Sequence, residues 1–385
     1  MSTIAFMVSH LSGTGHLVRI LTIAKAVRAA GGEAVVISGG RPLPHLDTGG
    51  IRIAQLPWIE VRGRDFGAPL DADGQPVDAT LLAARAEQAT RAVRTAAPGV
   101  LVLETWPFGR RRLRREYEAV IAAMRAAACS PGRIAISVRD LPEPPSKPER
   151  QAEAEALLAQ YADLVLVHGD SGFLPVTATW PLAAGLLHRL RYTGYVRHGD
   201  ETEAPMTEDP REIVVSVGGG DLGRQLLQTA AEAAGFSAHP WRLRTGGRDG
   251  VALAETLQRD HARHARTGLI VEPPAADWQA RLAGAAAAVT LAGYNTVTDL
   301  APLDTPVLLV PDTAGGQREQ HIRAEALSAL PGVESAAAAE LTPARLAMIA
   351  DRLAGGPRRA PLPITLDGAA RSAALLLDLA MQAER

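Results

Sequence analysis

Cysteine and long apolar runs are scarce in this sequence, and each shortage excludes a class of structure. Only Cys129 is a cysteine, which excludes an intrachain disulfide and any metal site built from several cysteines. No run of about 18 apolar residues occurs, so we predict no membrane-spanning helix. The amino terminus lacks the basic start and apolar run of a secretory signal peptide. We therefore expect a cytoplasmic protein, and leave peripheral contact with the inner membrane open.

An excess of charge of one sign is also missing. The formal net charge is −2, from 40 basic and 42 acidic residues. The sequence therefore gives no reason to expect nucleic acid as a partner. A chain of 385 residues is expected to hold about two domains, each large enough to bury its own core.

The chain begins the same pattern twice: an apolar strand, a glycine-rich loop and a helix. The first begins at Ile4 and the second at Ile213, after a polar, acidic stretch that contains two prolines. We predict an N-terminal domain over residues 1–197, a linker over 198–210 and a C-terminal domain over 211–385. The last helix is a candidate for packing back on the N-terminal domain. The alternation predicts an α/β fold of two Rossmann-like domains facing across a cleft. The oligomeric state is left open.

The C-terminal half contains two consecutive strand–loop–helix units, from Ala288 to Ala324. In the first, the strand ends at Leu291, Gly293 permits a tight turn, and Asn295 and Thr296 are expected to cap a helix. The strand, break and helix start of the second unit are predicted at Pro306–Val310, Gly315–Gly316 and Gln317–Gln320. Two helix N-termini then meet one sheet edge, which favours the binding of an anion.

Polar side chains follow these strands. Asp299 lies four residues after Asn295, so both share one helix face. Its carboxylate could hold two ribose hydroxyls by charge-assisted hydrogen bonds, or it is a surface acid. Gln317 and Gln320, with His321 beside them, are either ligands for sugar hydroxyls or exposed side chains.

Two glycine loops precede helices. Gly218, Gly219 and Gly220 can form an anion nest, but the loop lacks the residues of an ATP-binding P-loop, and a flexible turn remains the alternative. The first loop lacks the dinucleotide fingerprint, which disfavours NAD binding. A simple tight turn is the alternative to a functional loop. Its residues are Ser12, Gly13, Thr14 and Gly15, followed by His16. A neutral His16 imidazole at a helix start could accept a proton or bind a substrate hydroxyl.

A basic segment with aromatic neighbours follows the fourth predicted strand. It contains Arg110, Arg111, Arg112, Arg114 and Arg115, with Trp106, Phe108 and Leu113. The segment is either a solvated helix start or a surface that holds an anionic acceptor or contacts a membrane. The Asp71 and Asp73 pair in a long loop is too weakly framed for a metal site, so we predict no metal.

These pieces resemble a GT-B glycosyltransferase, of the type of the peptidoglycan N-acetylglucosaminyltransferase (MurG-type, family 28). The resemblance is best in the C-terminal half, at Gly293, Tyr294, Asn295, Thr296 and Asp299, where the family binds its donor. Gln317–Ala324 resembles the donor-sugar segment, where Glu319 replaces the family's first glutamine and Gln320 keeps the second. Gly218–Gly220 resembles the diphosphate loop, and Pro274 lies where the family contacts uracil.

The N-terminal half is similar to that family at Gly13–His16. Four other segments of this half look more like a bacterial group of predicted glycosyltransferases of undefined acceptor. They are Glu104–Arg111, Val138–Pro142, Leu166–Phe173 and Tyr192–Val196. The resemblance implies inverting sugar transfer from a UDP-sugar co-substrate without metal or cofactor.

His16 is then the candidate base, with Ser12–Gly15, Arg110 and Arg111 on the side of an unidentified acceptor that is anionic or lipid-linked. Three alternatives remain open on the same scaffold: a UDP-sugar hydrolase, a non-catalytic nucleotide-sugar binding protein and, more weakly, a sugar epimerase.

Overall fold

A computed structural model gives the architecture of the chain. It describes residues 2–44, 46–63, 66–126, 132–145, 147–197, 211–217, 221–247, 249–273, 278–313 and 317–383. The chain divides into two compact units. The first comprises Met1–His198 with Ile364–Arg385, and the second comprises Gly199–Pro363. The linker predicted at 198–210 lies outside the described residues.

The first unit contains a seven-stranded parallel sheet in the order β3-β2-β1-β4-β5-β6-β7. Its strands are β1 (Thr3–Val8), β2 (Glu33–Ser38), β3 (Arg52–Gln55), β4 (Val100–Glu104), β5 (Arg133–Arg139), β6 (Leu164–His168) and β7 (Leu190–Tyr192). The central strands read as near-continuous apolar runs because both faces of a parallel sheet are covered by helices. Chain order reverses at β1 and β4, which is where such sheets bind ligands.

The α-helices of this unit, among its described residues, are α1 (Gly15–Ala29), α2 (Ala79–Ala96), α3 (Arg114–Arg125), α4 (Pro148–Tyr161) and α11 (Gly368–Ala383). One core cluster joins alternate strand residues to α2, α3 and α4, and a second joins the opposite face to α1 and α11. A Cβ on Gly32 would lie 2.7 Å from Leu377 Cδ2, so this glycine makes room for α11. Glycine after α1 therefore serves packing as well as the helix stop.

The second unit contains a six-stranded parallel sheet in the order β10-β9-β8-β11-β12-β13. Its strands are β8 (Ile213–Ser216), β9 (Trp241–Arg244), β10 (Leu269–Glu272), β11 (Ala287–Thr290), β12 (Val307–Leu309) and β13 (Val333–Ser335). Its helices are α5 (Asp221–Ala233), α6 (Gly250–Asp260), α7 (Trp278–Gly284), α8 (Tyr294–Leu300), α9 (Glu319–Ser328) and α10 (Pro343–Ala354). Its core joins α5, α6 and α10 to this sheet.

Two local predictions are wrong, and one strand was not predicted. Helix α8 begins at Tyr294 with Gly293 as its N-cap and no side-chain cap, so Asn295 and Thr296 lie within the first turn. Helix α9 begins at Glu319, so Gln317 precedes it. The sequence also gave no sign of β13, since its three residues are mostly polar. Among the described helices, none is long and apolar enough to cross a membrane.

Candidate functional site

The carboxyl edge of the first sheet gathers polar side chains. Glu104, Arg139 and His168 are the last residues of β4, β5 and β6. Helix α1 begins near the same edge, because the glycine-rich loop connects it to the end of β1, and His16 is its second residue. The position predicted for His16 at a helix start is confirmed.

His16 lies against a carboxylate that the sequence did not single out. The distance from His16 Nδ1 to Glu104 Oε1 is 2.7 Å. An ionised carboxylate can only accept, so in this contact Nδ1 carries the proton and Nε2 keeps its lone pair. Arg19 Nη2 lies 3.1 Å from the same Nδ1, but it also bonds Glu104 Oε1, to which we assign its proton. Glu104 is 1% exposed, whereas the His16 side chain is 26% exposed. The pair therefore has a buried orienting acid and an imidazole that reaches solvent.

Electrostatics fix the protonation states of this pair. Burial lowers the pKa of His16 from 6.5 to about 3, the Glu104 hydrogen bond acts against it, and the charges of Arg110 and Arg19 lower it further. Burial acts to raise the pKa of Glu104. The charge of Arg19 and the bonds from His16 and Ser137 outweigh it and hold that pKa well below its usual range. Near neutral pH the imidazole is neutral and the carboxylate ionised.

A buried arginine fixes the loops beside this pair. Arg85 of α2 is fully buried and donates from Nε and Nη2 to the Glu116 carboxylate, at 2.8 and 3.0 Å. Its Nη1 donates to Gly39 O at 2.9 Å, and its Nη2 to Ser9 Oγ at 3.3 Å. A Cβ on Gly39 would lie 2.3 Å from Ser9 Oγ and 2.5 Å from Arg85 Nη2, so a side chain there would displace this network. The loops after β1 and β2 are thus held by a charge-assisted network.

The glycine-rich loop itself is open. Ser12, Gly13 and Thr14 are exposed, and Gly15 and His16 are partly exposed. A Cβ on Gly13 would meet nothing within 4 Å, so this glycine is not required by packing. The loop leaves room for a ligand to approach its backbone.

The basic segment divides into a buried and an exposed part. Trp106 and Phe108 are 1% and 8% exposed, stacked on Tyr117 and edge-on to Trp180. These aromatics complete the core, as does the 2% exposed Leu113, so they are not part of an exposed surface. The surface retains the exposed arginines Arg111, Arg112, Arg114 and Arg115.

Arg110 occupies a special position in this segment. Its backbone is left-handed, with φ of 60°, and its Nε donates to Ser9 O at 2.8 Å. Within the described part of the chain, its guanidinium forms no ion pair. The charge of Arg110 lowers the pKa of both His16 and His10. A partly buried positive charge thus lies beside the His16 pair. It is held by a left-handed backbone conformation, and such strained conformations often occur at functional sites.

In the second unit, Asp299 is fixed by a neighbouring helix. Gln279 of α7 donates from Nε2 to Asp299 Oδ1 at 2.8 Å. Asp299 and Asn295 are both in α8 and partly exposed, so the predicted shared face is compatible with the helix. Tyr294 is buried, while Thr296 is partly exposed.

Glu319 and Gln320 form hydrogen bonds within the protein. Glu319 is buried and accepts from Arg323 Nη2 at 2.7 Å, while Arg323 Nη1 donates to Ala292 O at 2.5 Å. Gln320 Oε1 accepts from Asp312 N at 3.1 Å. Arg323 therefore ties α9 to the loop after β11, Gln320 ties it to the loop after β12, and Glu319 acts through Arg323. Gln317 is partly exposed before the helix.

Some predicted site residues cannot be placed. Gly218, Gly219, Gly220 and Pro274 lie outside the described residues. Within the described ranges, no three His, Cys, Asp or Glu side chains come together in a way that could hold a metal ion. Asp71 instead accepts from the backbone N–H groups of Asp73 and Gln75, at 2.9 and 2.8 Å, and so closes its own turn.

Sequence reasoning missed four residues that support these sites: Glu104, Arg85, Gln279 and Arg323. Only Arg323 left a local signal, because it lies four residues after Glu319 on one helix face. The other three meet their partners through strand order and helix packing.

Comparison with known proteins relates the chain to glycosyltransferases. No protein-family model matches it. It is 31% identical over 183 residues to a UDP-N-acetylglucosamine–N-acetylmuramyl-(pentapeptide) pyrophosphoryl-undecaprenol N-acetylglucosamine transferase of Methylobacterium sp. (strain 4-46), covering 44% of this chain and 48% of that protein. It is 34% identical over 145 residues to the enzyme of the same name from Methylobacterium nodulans, covering 34% and 38%. The matches thus span about half or less of these curated relatives.

Solved structures match along the whole chain. The structure is similar to Acinetobacter baumannii MurG, with a TM-score of 0.59 and 16% identity over 100% of this chain and 95% of the other. It is also similar to CalG4, the calicheamicin glycosyltransferase, with a TM-score of 0.58 and 15% identity over 100% and 95%. The resemblance to MurG-type enzymes and the GT-B fold of two Rossmann-like domains are therefore confirmed.

Proposed function

We propose that this chain is a glycosyltransferase that moves a sugar from a UDP-sugar to an acceptor hydroxyl, with inversion and without a metal. The observation that carries the proposal is the His16–Glu104 pair at the carboxyl edge of the first sheet, with Nδ1 and Oε1 2.7 Å apart. The paired carboxylate fixes the tautomer, so the free Nε2 is available to an acceptor hydroxyl.

The proton and the electrons then balance in a single displacement. His16 Nε2 takes the proton of the acceptor hydroxyl as its oxygen forms a bond to the anomeric carbon. The bond from that carbon to the diphosphate oxygen breaks, and UDP leaves with the electron pair. Glu104 stays ionised and stabilises the imidazolium that forms. A positioned general base of this kind typically contributes roughly 10²–10⁴-fold.

The second unit is proposed to hold the donor. Asp299 would bind the ribose hydroxyls, and its bond from Gln279 orients the carboxylate. The backbone at Gly293 and Asn295, with Gly218–Gly220, would face the diphosphate, Pro274 the uracil, and Gln317 and Gln320 the sugar. Backbone donors aimed at a leaving group need no metal. Glu319 acts indirectly, because it holds Arg323 against the loop that ends at Gly293.

The first unit is proposed to hold an acceptor that carries an anionic group. Arg110 supplies a partly buried positive charge with no ion-pair partner within the described residues, which favours a phosphate or carboxylate there. Such a group would also offset one of the charges that lower the pKa of His16, so acceptor binding would make it a stronger base. Peripheral contact with an anionic membrane would use the exposed Arg111, Arg112 and Arg115.

The test is acceptor-dependent release of UDP. The protein is incubated with UDP-sugars and with pairs of hydroxyl acceptors that differ only in a phosphate or carboxylate, with and without EDTA. We expect release that requires an acceptor, prefers the charged member of a pair, resists EDTA and yields the inverted anomer by NMR. Equal release without acceptor would establish a hydrolase instead, and UDP binding without release would establish a binding protein.

A further inference from the structure

A chain of four buried side chains runs along the carboxyl edge of the first sheet and ends at Glu104. Ser137 Oγ bonds Glu104 Oε2 across β4 and β5, which pair in register at these residues. Ser137 Oγ lies 2.8 Å from His168 Nε2, and His168 Nδ1 lies 3.0 Å from Thr193 Oγ1. Glu104 is 1% exposed and the other three are 0% exposed. Of these four residues, only Glu104 touches the proposed base.

The number of available protons sets the donor-to-acceptor direction of these hydrogen bonds. Glu104 is ionised and only accepts, so the single proton of Ser137 points to it. Ser137 must then accept from His168 Nε2–H, which leaves His168 Nδ1 without a proton. The Thr193 hydroxyl has one proton, which it shares between His168 Nδ1 and Gly194 O, at 3.0 and 2.8 Å. The reverse direction would leave a buried carboxylate oxygen without the donor beside it, which is costly. The donors of Ser137 and His168 therefore both point toward Glu104.

This hydrogen-bonded chain does not carry protons away from the base. Burial, followed by the charge of Arg19, lowers the pKa of His168 to about 3, so its imidazole stays neutral. A neutral imidazole with one fixed tautomer holds its neighbour in place. We propose that His168, acting through Ser137, is a positioning residue for sugar transfer that keeps Glu104 in the orientation that aims His16. This rests on the proposed function of the His16 pair.

Several other groups act on Glu104 and belong in the same balance. Arg19 and His16 face it from α1, Thr105 Oγ1 donates to Glu104 Oε1 at 3.3 Å, and Arg110 and Tyr117 are coupled to it electrostatically. These five residues are kept when Ser137 or His168 is altered, so the variants below isolate the hydrogen-bonded chain.

The first test is a kinetic series. Ser137→Ala removes the donor to Glu104, and His168→Met removes the hydrogen bond that supports Ser137. In both variants we expect kcat to fall on the order of 10- to 100-fold. The KM for UDP-sugar should stay unchanged, since these residues lie in the first unit. His168→Gln keeps an amide N–H near the position of Nε2 and should restore most of kcat. Ser372→Ala is the matched control, because it removes another buried hydroxyl, bonded to Gly368 O in α11.

The pH profile separates positioning from folding damage. Without the Ser137 donor, Glu104 takes up a proton at higher pH, so the acid limb of kcat should move upward in Ser137→Ala and stay fixed in Ser372→Ala. Wild-type kcat in both Ser137→Ala and His168→Met would overturn the proposal. A loss that His168→Gln does not restore, with an unmoved limb, would show a structural role only.

A readout without turnover completes the design. Long-range ¹⁵N–¹H NMR of the imidazoles in the substrate-free protein should show His168 protonated only on Nε2 and His16 only on Nδ1. A proton on His168 Nδ1 reverses the chain and overturns the proposal. Absence of transfer in the wild type would instead refute the proposed function and leave this NMR result to decide on the hydrogen bonds.

Discussion

Gln279 of α7 donates a 2.8 Å hydrogen bond to the Asp299 carboxylate of α8, so an amide on one short helix fixes the acid on the next. Asp299→Ala should weaken UDP binding roughly tenfold or more, because hydrogen bonds to a charged group contribute about 1.5–3 kcal/mol each. Gln279→Ala should weaken it less, since the acid remains but loses its orientation.

Isothermal titration calorimetry with UDP measures both effects. Gln225→Ala, on the exposed surface of α5, serves as the control and should bind as the wild type does. Unchanged affinity in Asp299→Ala would remove Asp299 from the donor site.

The His16 pair should control turnover without controlling donor binding. His16→Ala and Glu104→Gln are expected to lower kcat by roughly 10²–10⁴-fold, because each removes the base or its orientation. UDP affinity should change less than twofold by the same calorimetry. Full turnover in His16→Ala would end its assignment as the base.

Acid should destabilise the first unit through its buried histidine. The folded-state pKa of His168 is about 3 and the unfolded value is 6.5, so between these values the unfolded chain binds the additional proton. Stability is therefore lost as pH falls below 6.5, by about 2 kcal/mol between pH 7 and 5 for this one group. The depressed pKa of Glu104 acts in the same direction at lower pH.

Urea unfolding at pH 7 and pH 5 checks this contribution. His168→Gln removes the titrating group and should lose about 2 kcal/mol less than the wild type over that interval. An identical loss in both proteins would assign the acid sensitivity to other groups.

Glu319 should matter for stability more than for choice of sugar. It is 5% exposed and paired with the fully buried Arg323. Replacing one partner leaves a buried charge, so Glu319→Leu should cost about 3–5 kcal/mol. The double variant Glu319→Leu with Arg323→Met should recover part of that loss, as measured by urea unfolding. An altered preference among UDP-sugars in Glu319→Gln at unchanged stability would instead place Glu319 against the sugar.

Membrane contact, where it occurs, should be electrostatic. The aromatics of the basic segment are in the core, so the exposed Arg111, Arg112 and Arg115 act by charge alone, at about 1 kcal/mol each near an anionic surface. We expect salt-sensitive flotation with anionic vesicles, none with neutral vesicles, and a loss of flotation when the three arginines become serine. Equal flotation of that variant would identify a solvated face.

The sequence predicted repeating local geometry well and long-range pairing poorly. His16 could be found because a glycine loop and a helix start stand beside it. Its partner Glu104 lies 88 residues away, and only the pairing of β1 with β4 brings them together. The prediction that Asn295 caps a helix is wrong because the helix begins one residue earlier, at Tyr294, and no residue type marks that start. The orientation of Glu319 depended on whether Arg323 is buried, which periodicity alone did not decide.

The room that Gly32 leaves for Leu377 has a consequence for synthesis on the ribosome. Helix α11 covers the apolar face of α1, yet it is translated only after the whole second unit. Until α11 is made, a nascent first unit lacks this cover for the apolar cluster that α1 and α11 share, and a chaperone could bind there. Release from such a chaperone would await the synthesis of α11.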